Sequence, residues 1–294
     1  MNEEQKPKIP KIKVGLAISG GFIRATAAIG VIEVLTENNI PIDLLAGCSS
    51  GSAVAAAYAA GTLPQLKKRL VEGRRRDFWN VIIEPTMPKA GLLKGERNRV
   101  FFEEFVGDKK FSDLDKKLIL AVTDLASMEE MMITEGPVGK AIQAATAVPG
   151  IFVPVNWAGK IIIDGGNFNM IPSKPLYDSG ADYVIAVYVS RDPSFVTRFF
   201  SNFKRVKKSR ETICSMKNNG LCNLNIIQTM WRVFVLSATE INNLYHHAYR
   251  YDALIKPDIS RVRRYHVNSV QYCINEGRKA AMAALPQIKQ DLGL

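Results

Sequence analysis

The sequence predicts an α/β fold on a mainly parallel sheet, and three observations carry that expectation. Apolar runs of strand length recur along the first 190 of the 294 residues, at 12–18, 42–46, 117–124, 161–163 and 183–189. A helical pattern separates the first two runs, the strand–helix–strand order that joins parallel neighbours by a right-handed crossover. Two glycine turns, Ser19-Gly20-Gly21 and Gly47-Cys48-Ser49-Ser50-Gly51, follow those two runs, where α/β sheets present their functional groups.

Taken in order, residues 1–11 are a polar arm with two prolines and no hydrophobic leader segment. The run 12–18 reads as a buried strand. Ile29, Ile32 and Leu35 then recur at helical spacing with Glu33 and Glu37 turned outward, and Asn38-Asn39 marks the stop. Pro41 introduces the second strand. Beyond the second glycine turn, Ser52-Ala53-Val54-Ala55-Ala56-Ala57 is rich in the best helix former, and Gly61 stands where a C-cap belongs.

Residues 61–93 read as basic helix and loop. Leu66, Leu70 and Val71 form an apolar edge, and Lys67, Lys68, Arg69, Arg74, Arg75 and Arg76 a solvated face. A helix over 96–105, strands at 117–124 and 131–134, and a helix over 138–147 ending before Pro149 follow. The strand 161–163 delivers Asp164-Gly165-Gly166. After 190 the chain turns basic, then helical over 226–249, with a short strand at 253–257 and a last helix over 268–285.

Strand, tight turn and helix around Gly-x-Ser-x-Gly form the context of a nucleophile elbow. Glycines at 47 and 51 permit the sharp turn, and Ser49 stands over unpaired helix N–H groups. The bland alternative is a small-residue turn where a helix packs tightly on a sheet. Gly20-Gly21 offers backbone N–H groups suited to an oxyanion hole. The Gly-x-Gly-x-x-Gly dinucleotide fingerprint is absent, with Phe22 and Ala25 where glycine would be needed, and no Walker lysine follows. A serine needs a base. Asp164, on an Asp-Gly turn at a strand end, reads equally as that base or as a simple Asx-turn.

Composition bounds the rest. Hydrophobic content of 47% with 23% charged residues is that of a globular domain able to bury a large core. No stretch has the apolar length to span a bilayer, which points to a cytoplasmic location. Cys48, Cys214, Cys222 and Cys273 are too widely spaced for a zinc or disulfide pattern, and no metal or other cofactor is expected. Net charge is +11, and Lys and Arg concentrate with phenylalanines in the segment from Phe195 to Lys217. That segment suits peripheral contact with an anionic membrane, or else forms a solvated loop. Nucleic acid is not expected as a partner, since no binding motif accompanies the charge.

Four ordered blocks together resemble the patatin-like phospholipases: residues 19–25, Gly47 to Gly51, the proline-bearing stretch 144–155, and Asp164-Gly165-Gly166. The likeness covers residues 12–190, with 191–294 completing or covering a single domain of three α/β/α layers. It implies hydrolysis of phospholipid, lysophospholipid or other acyl-lipid esters through an acyl-enzyme. Ser49 matches the nucleophile and Asp164 its partner in a Ser–Asp dyad. Gly20, Gly21 and Phe22 match the oxyanion turn, and Arg24 the basic residue of that loop. Two departures stand out: Phe22 and Ala25 lie where the family prefers glycine, and Ala145 replaces a serine. Rival readings are an α/β-hydrolase triad using His246, His247 or His266, a catalytically impaired lipid-binding relative, and Cys48 as nucleophile.

Overall fold

A computed structural model of the chain describes residues 12–87, 90–189, 250–262 and 267–294, with a few helical positions between 233 and 244. The basic segment from Phe195 to Lys217, the three histidines, Cys214 and Cys222 lie outside the described residues.

Among the described residues the strands are β1 (Val14–Ile18), β2 (Leu44–Cys48), β3 (Lys117–Asp124), β4 (Glu129–Ile133), β5 (Val155–Trp157), β6 (Lys160–Asp164), β7 (Tyr183–Val187) and β8 (Ala253–Ile255). They form one sheet in the order β5-β6-β3-β2-β1-β7-β8, with β4 paired to β3 off that path. The five neighbours β3, β2, β1, β7 and β8 are parallel. Both β4 and β6 run antiparallel to β3, and β5 antiparallel to β6.

The central strands are apolar throughout because both faces are covered. Their side chains alternate between two cores, as the pleat requires. Leu16, Ile18, Leu45, Leu118, Leu120 and Val187 enter the larger one. Ala17, Leu44, Ala46, Ile119, Val184 and Ala186 enter the smaller, against Leu176 of the short helix α7 (Lys174–Asp178). Helices α1 (Ala27–Glu37), α2 (Ser50–Ala59), α6 (Val138–Ala145) and the C-terminal helix (Val270–Leu292) contribute to the larger core. The result is a three-layer α/β/α arrangement.

The C-terminal helix crosses α1 at backbone contact. A Cβ at Gly277 would sit 1.9 Å from the Ala27 carbonyl oxygen, and one at Gly30 would sit 2.0 Å from that of Ile274. This helix also corrects the sequence reading, which ends it at Leu285. It continues through Pro286 to Leu292, because Leu285, Ile288 and Leu292 are all buried and hold its last turns against the core. The interior proline forfeits one helical hydrogen bond, a loss that packing offsets.

Three helices form a flank beside α2: α3 (Leu63–Glu72), α4 (Arg75–Ile82) and α5 (Glu96–Val106). Here the solvated basic face needs revising in part. Lys67 lies 2.6 Å from Glu33 of α1, and the Arg69 guanidinium packs over the Phe101 ring of α5. Among the described residues, no helix is long and apolar enough to cross a membrane.

Candidate active site

The parallel pairing of β1 with β2, Ile18 opposite Gly47, brings both glycine turns out at one edge. The elbow needs its glycines because the backbones touch. A Cβ at Gly51 would lie 2.6 Å from the Ile18 carbonyl oxygen, and one at Gly47 would lie 2.6 Å from Ser52 Cα. Side chains at either place would push α2 off the sheet. Ser49 takes φ 52 and ψ −133, a conformation that L-residues rarely adopt. It is the N-cap of α2, yet its hydroxyl caps no helical N–H.

That hydroxyl lies near enough to Asp164 to hold the carboxyl's pKa down. Asp164 ends β6, in register with Val122 of β3 and only 4% exposed. Its Oδ1 accepts the Gly166 N–H at 2.8 Å, and its own N–H donates to the Ala147 carbonyl at 3.0 Å. The Asx-turn expected of Asp164 is therefore present. Gly165 is required beneath it, where a Cβ would meet the Ala121 carbonyl oxygen at 2.5 Å. Burial pushes the Asp164 carboxyl up to about 6, against the pull of the Ser49 hydroxyl and the Gly166 N–H.

Cys48 is fully buried with its Sγ 4.0 Å from Asp164 Oδ1. Burial first, and then the Asp164 and Glu130 charges, hold its thiol far above the ordinary range. Such a thiol is a poor nucleophile.

The first glycine turn lies against the elbow: a Cβ at Gly20 would be 2.5 Å from that of Ser49. The turn is pinned from behind by Ser19, whose N–H donates to the Val187 carbonyl and whose Oγ accepts the Val189 N–H at 2.9 Å. Gly21 N–H donates to Ser50 Oγ at 3.1 Å. Phe22 has φ 58, so the departure from glycine there carries backbone strain of about 1–2 kcal/mol. Its ring meets Phe78 of α4 edge-on at 5.5 Å.

Arg24 stands apart from this cluster. Its backbone N–H donates to the Gly21 carbonyl, while Nε and Nη2 both donate to the Val262 carbonyl at 3.2 and 2.7 Å. The guanidinium fastens the turn to the C-terminal part of the chain.

Three features of the site are not foreseen in the sequence. Asn169 is buried, taking its N–H to the Gly165 carbonyl and its amide to Glu130 Oε1 at 2.8 Å. It ties the Asp164 turn to β4. Glu130 is itself raised by burial, with Asn169 opposing. Neither belongs to a motif with a chemical signature, and only the β3–β4 pairing brings Glu130 near. The third is an apolar cavity of about 140 Å³ opening on Ser49, walled by Phe22, Val54, Phe78, Phe102, Ile151 and Phe152. Its walls come from the turn at Phe22, α2, α3, α4, α5 and the loop after α6, which periodicity alone cannot bring together.

Comparison with known proteins places this geometry. The patatin-like phospholipase family model matches residues 16–177, more than half of the chain. An uncharacterized NTE family protein of Mycobacterium tuberculosis is 31% identical over 175 residues, 60% of this chain and 48% of that protein. A second from the same organism is 27% identical over 285 residues, 95% of this chain and 47% of its own length. Lysophospholipase NTE1 of Phaeosphaeria nodorum is 30% identical over 180 residues, 60% of this chain and 12% of that protein. The chain therefore spans about half the length of the mycobacterial relatives. Among solved structures, VipD from Legionella pneumophila superposes with TM-score 0.60 at 14% identity, covering 95% of this chain and 67% of that one, and so shares the fold. With the matched region running from β1 through both glycine turns to beyond the Asp164 turn, the chain belongs to the patatin-like phospholipase family.

Proposed function

We propose that the chain is a serine acyl hydrolase acting on phospholipids, lysophospholipids or related acyl lipids through Ser49 and Asp164. One observation carries the reading: a strained serine stands at the mouth of an apolar cavity beside a buried carboxylate whose pKa its hydroxyl holds down. Asp164 accepts the Ser49 proton as Oγ attacks the ester carbonyl. The tetrahedral oxyanion collapses, expelling the alcohol, which takes the proton back from Asp164. Water, deprotonated by the same carboxylate, then attacks the acyl-enzyme and releases the fatty acid.

The oxyanion donors are the N–H groups of Gly21 and Phe22, with those of the first turn of α2. The Gly21 N–H leaves the neutral Ser50 hydroxyl for a charged oxygen, a stronger acceptor. The cavity beside Ser49 receives the acyl chain. The influence of the Ser49 hydroxyl on the Asp164 carboxyl supports a dyad over a Ser–Asp–His triad, in which an imidazole would lie between them.

Short-chain nitrophenyl esters test this directly. Ser49→Ala and Asp164→Asn should each lower kcat/KM by about a thousandfold or more with unchanged circular dichroism. Retention of activity in either folded variant would refute the assignment.

A further inference from the structure

We infer that Arg69 is the anion-recognising residue of the cavity at Ser49 and takes the phosphate of a phospholipid substrate. The inference rests on the acyl-hydrolase reading and adds to it the class of lipid preferred.

The walls of this cavity carry three ionisable side chains, Arg69, Arg74 and Asp77. Asp77 is engaged with Arg74: its Oδ2 accepts the Arg74 backbone N–H at 3.3 Å and lies 3.8 Å from Nε. Arg69 differs from Lys67 and Arg99. Lys67, two positions earlier, meets Glu33 at 2.6 Å, and Arg99 is clasped by Glu96 and Glu103 at 3.0 and 2.8 Å. Among the described residues Arg69 has neither a hydrogen bond nor a carboxylate partner, and only the Phe101 ring, 5.7 Å from its guanidinium carbon, holds it.

Arg69 as a residue is half-buried. A cation partly withdrawn from water without a counter-ion is costly, and the cost is returned when an anion arrives. A planar guanidinium beside an aromatic ring can form two parallel bonds to phosphate oxygens. In a glycerophospholipid the phosphate and the scissile ester hang from neighbouring glycerol carbons. A wall shared by Ser49 and Arg69 suits that pair, with the acyl chain among the phenylalanines. A neutral diacylglycerol leaves the cation facing apolar surface, so selectivity follows from repulsion as well as attraction.

The test is a calorimetric titration in the Ser49→Ala background, where nothing turns over, with and without Arg69→Gln. The probes are monomeric dihexanoylphosphatidylglycerol, dihexanoylglycerol and inorganic phosphate. Loss of the guanidinium should weaken phosphatidylglycerol about tenfold or more and diacylglycerol less than about threefold, with Arg69→Lys intermediate. Equal weakening of both lipids, or of neither, would overturn the inference. So would inorganic phosphate binding at Arg69 as tightly as the lipid, which would make the site one for free phosphate. The hydrolase reading fails separately, by wild-type protein turning over neither lipid.

Discussion

Two turns at the ends of neighbouring parallel strands make the instructive comparison. Ser49 after β2 and Phe22 after β1 have nearly the same positive φ, 52 and 58. Ser49 is bracketed by glycines that backbone contact requires, and its hydroxyl holds down the pKa of a buried carboxylate. Phe22 carries a side chain where glycine would be unstrained, and its ring packs on Phe78. Strain alone therefore does not mark a nucleophile. What separates the two positions is the polar partner that one has been bent to meet.

The largest effects should come from breaking that partnership, as in the Ser49 and Asp164 variants above. Next is Gly51→Ala, whose methyl would fall 2.6 Å from the Ile18 carbonyl oxygen and 2.7 Å from that of Ser19. Lifting α2 from β1 should destabilise by about 2–4 kcal/mol and misplace Ser49. A urea midpoint unchanged from wild type would show that the close approach is not needed.

Acidity sharpens the comparison on the Ser49 side. A base that titrates at about 6 is protonated below that value, so log kcat/KM should rise with pH up to about 6 and then level. A profile flat from pH 4.5 to 8 would contradict the role of Asp164. The same shift has a stability consequence. The folded value lies above the unfolded value of about 3.9, so the contribution is whole below pH 4 and is lost as pH rises through 6, about 3 kcal/mol in all. Asp164→Asn should therefore be more stable than wild type at pH 8 and equal to it near pH 4. Thermal melts at the two pH values show whether it is.

The smallest effect belongs to Phe22. Replacing it by glycine relieves strain of about 1–2 kcal/mol. Against that stand an aromatic contact worth about 1 kcal/mol and the extra unfolded-state entropy of glycine, about 1 kcal/mol. Stability should stay within about 1 kcal/mol of wild type, read from chemical denaturation. A fall of several kcal/mol would mean that the ring organises the turn.

How much of this is legible in the sequence follows from packing. The strands β1, β2, β3 and β7 are plain because burial on both faces leaves continuous apolar runs. The elbow is legible because both its flanks are diagnostic. Asp164 is only half legible, since Asp-Gly signals a turn whether or not a serine waits across the sheet. The direction of β6, the contact of Cys48 with Asp164 and the Glu130–Asn169 tie depend on pairings that no local pattern encodes. Arg69 shows the limit well. In sequence it is one of six basic residues on a helical edge, and only Phe101, thirty-two positions on, distinguishes it.

The most direct measurement is the site and rate of fluorophosphonate labelling, read by peptide mass spectrometry in wild type and in Asp164→Asn. The account predicts one adduct, on Ser49 Oγ, formed at least about a hundredfold more slowly in the variant. An adduct on Cys48 or elsewhere, or an equal rate in both proteins, would contradict it.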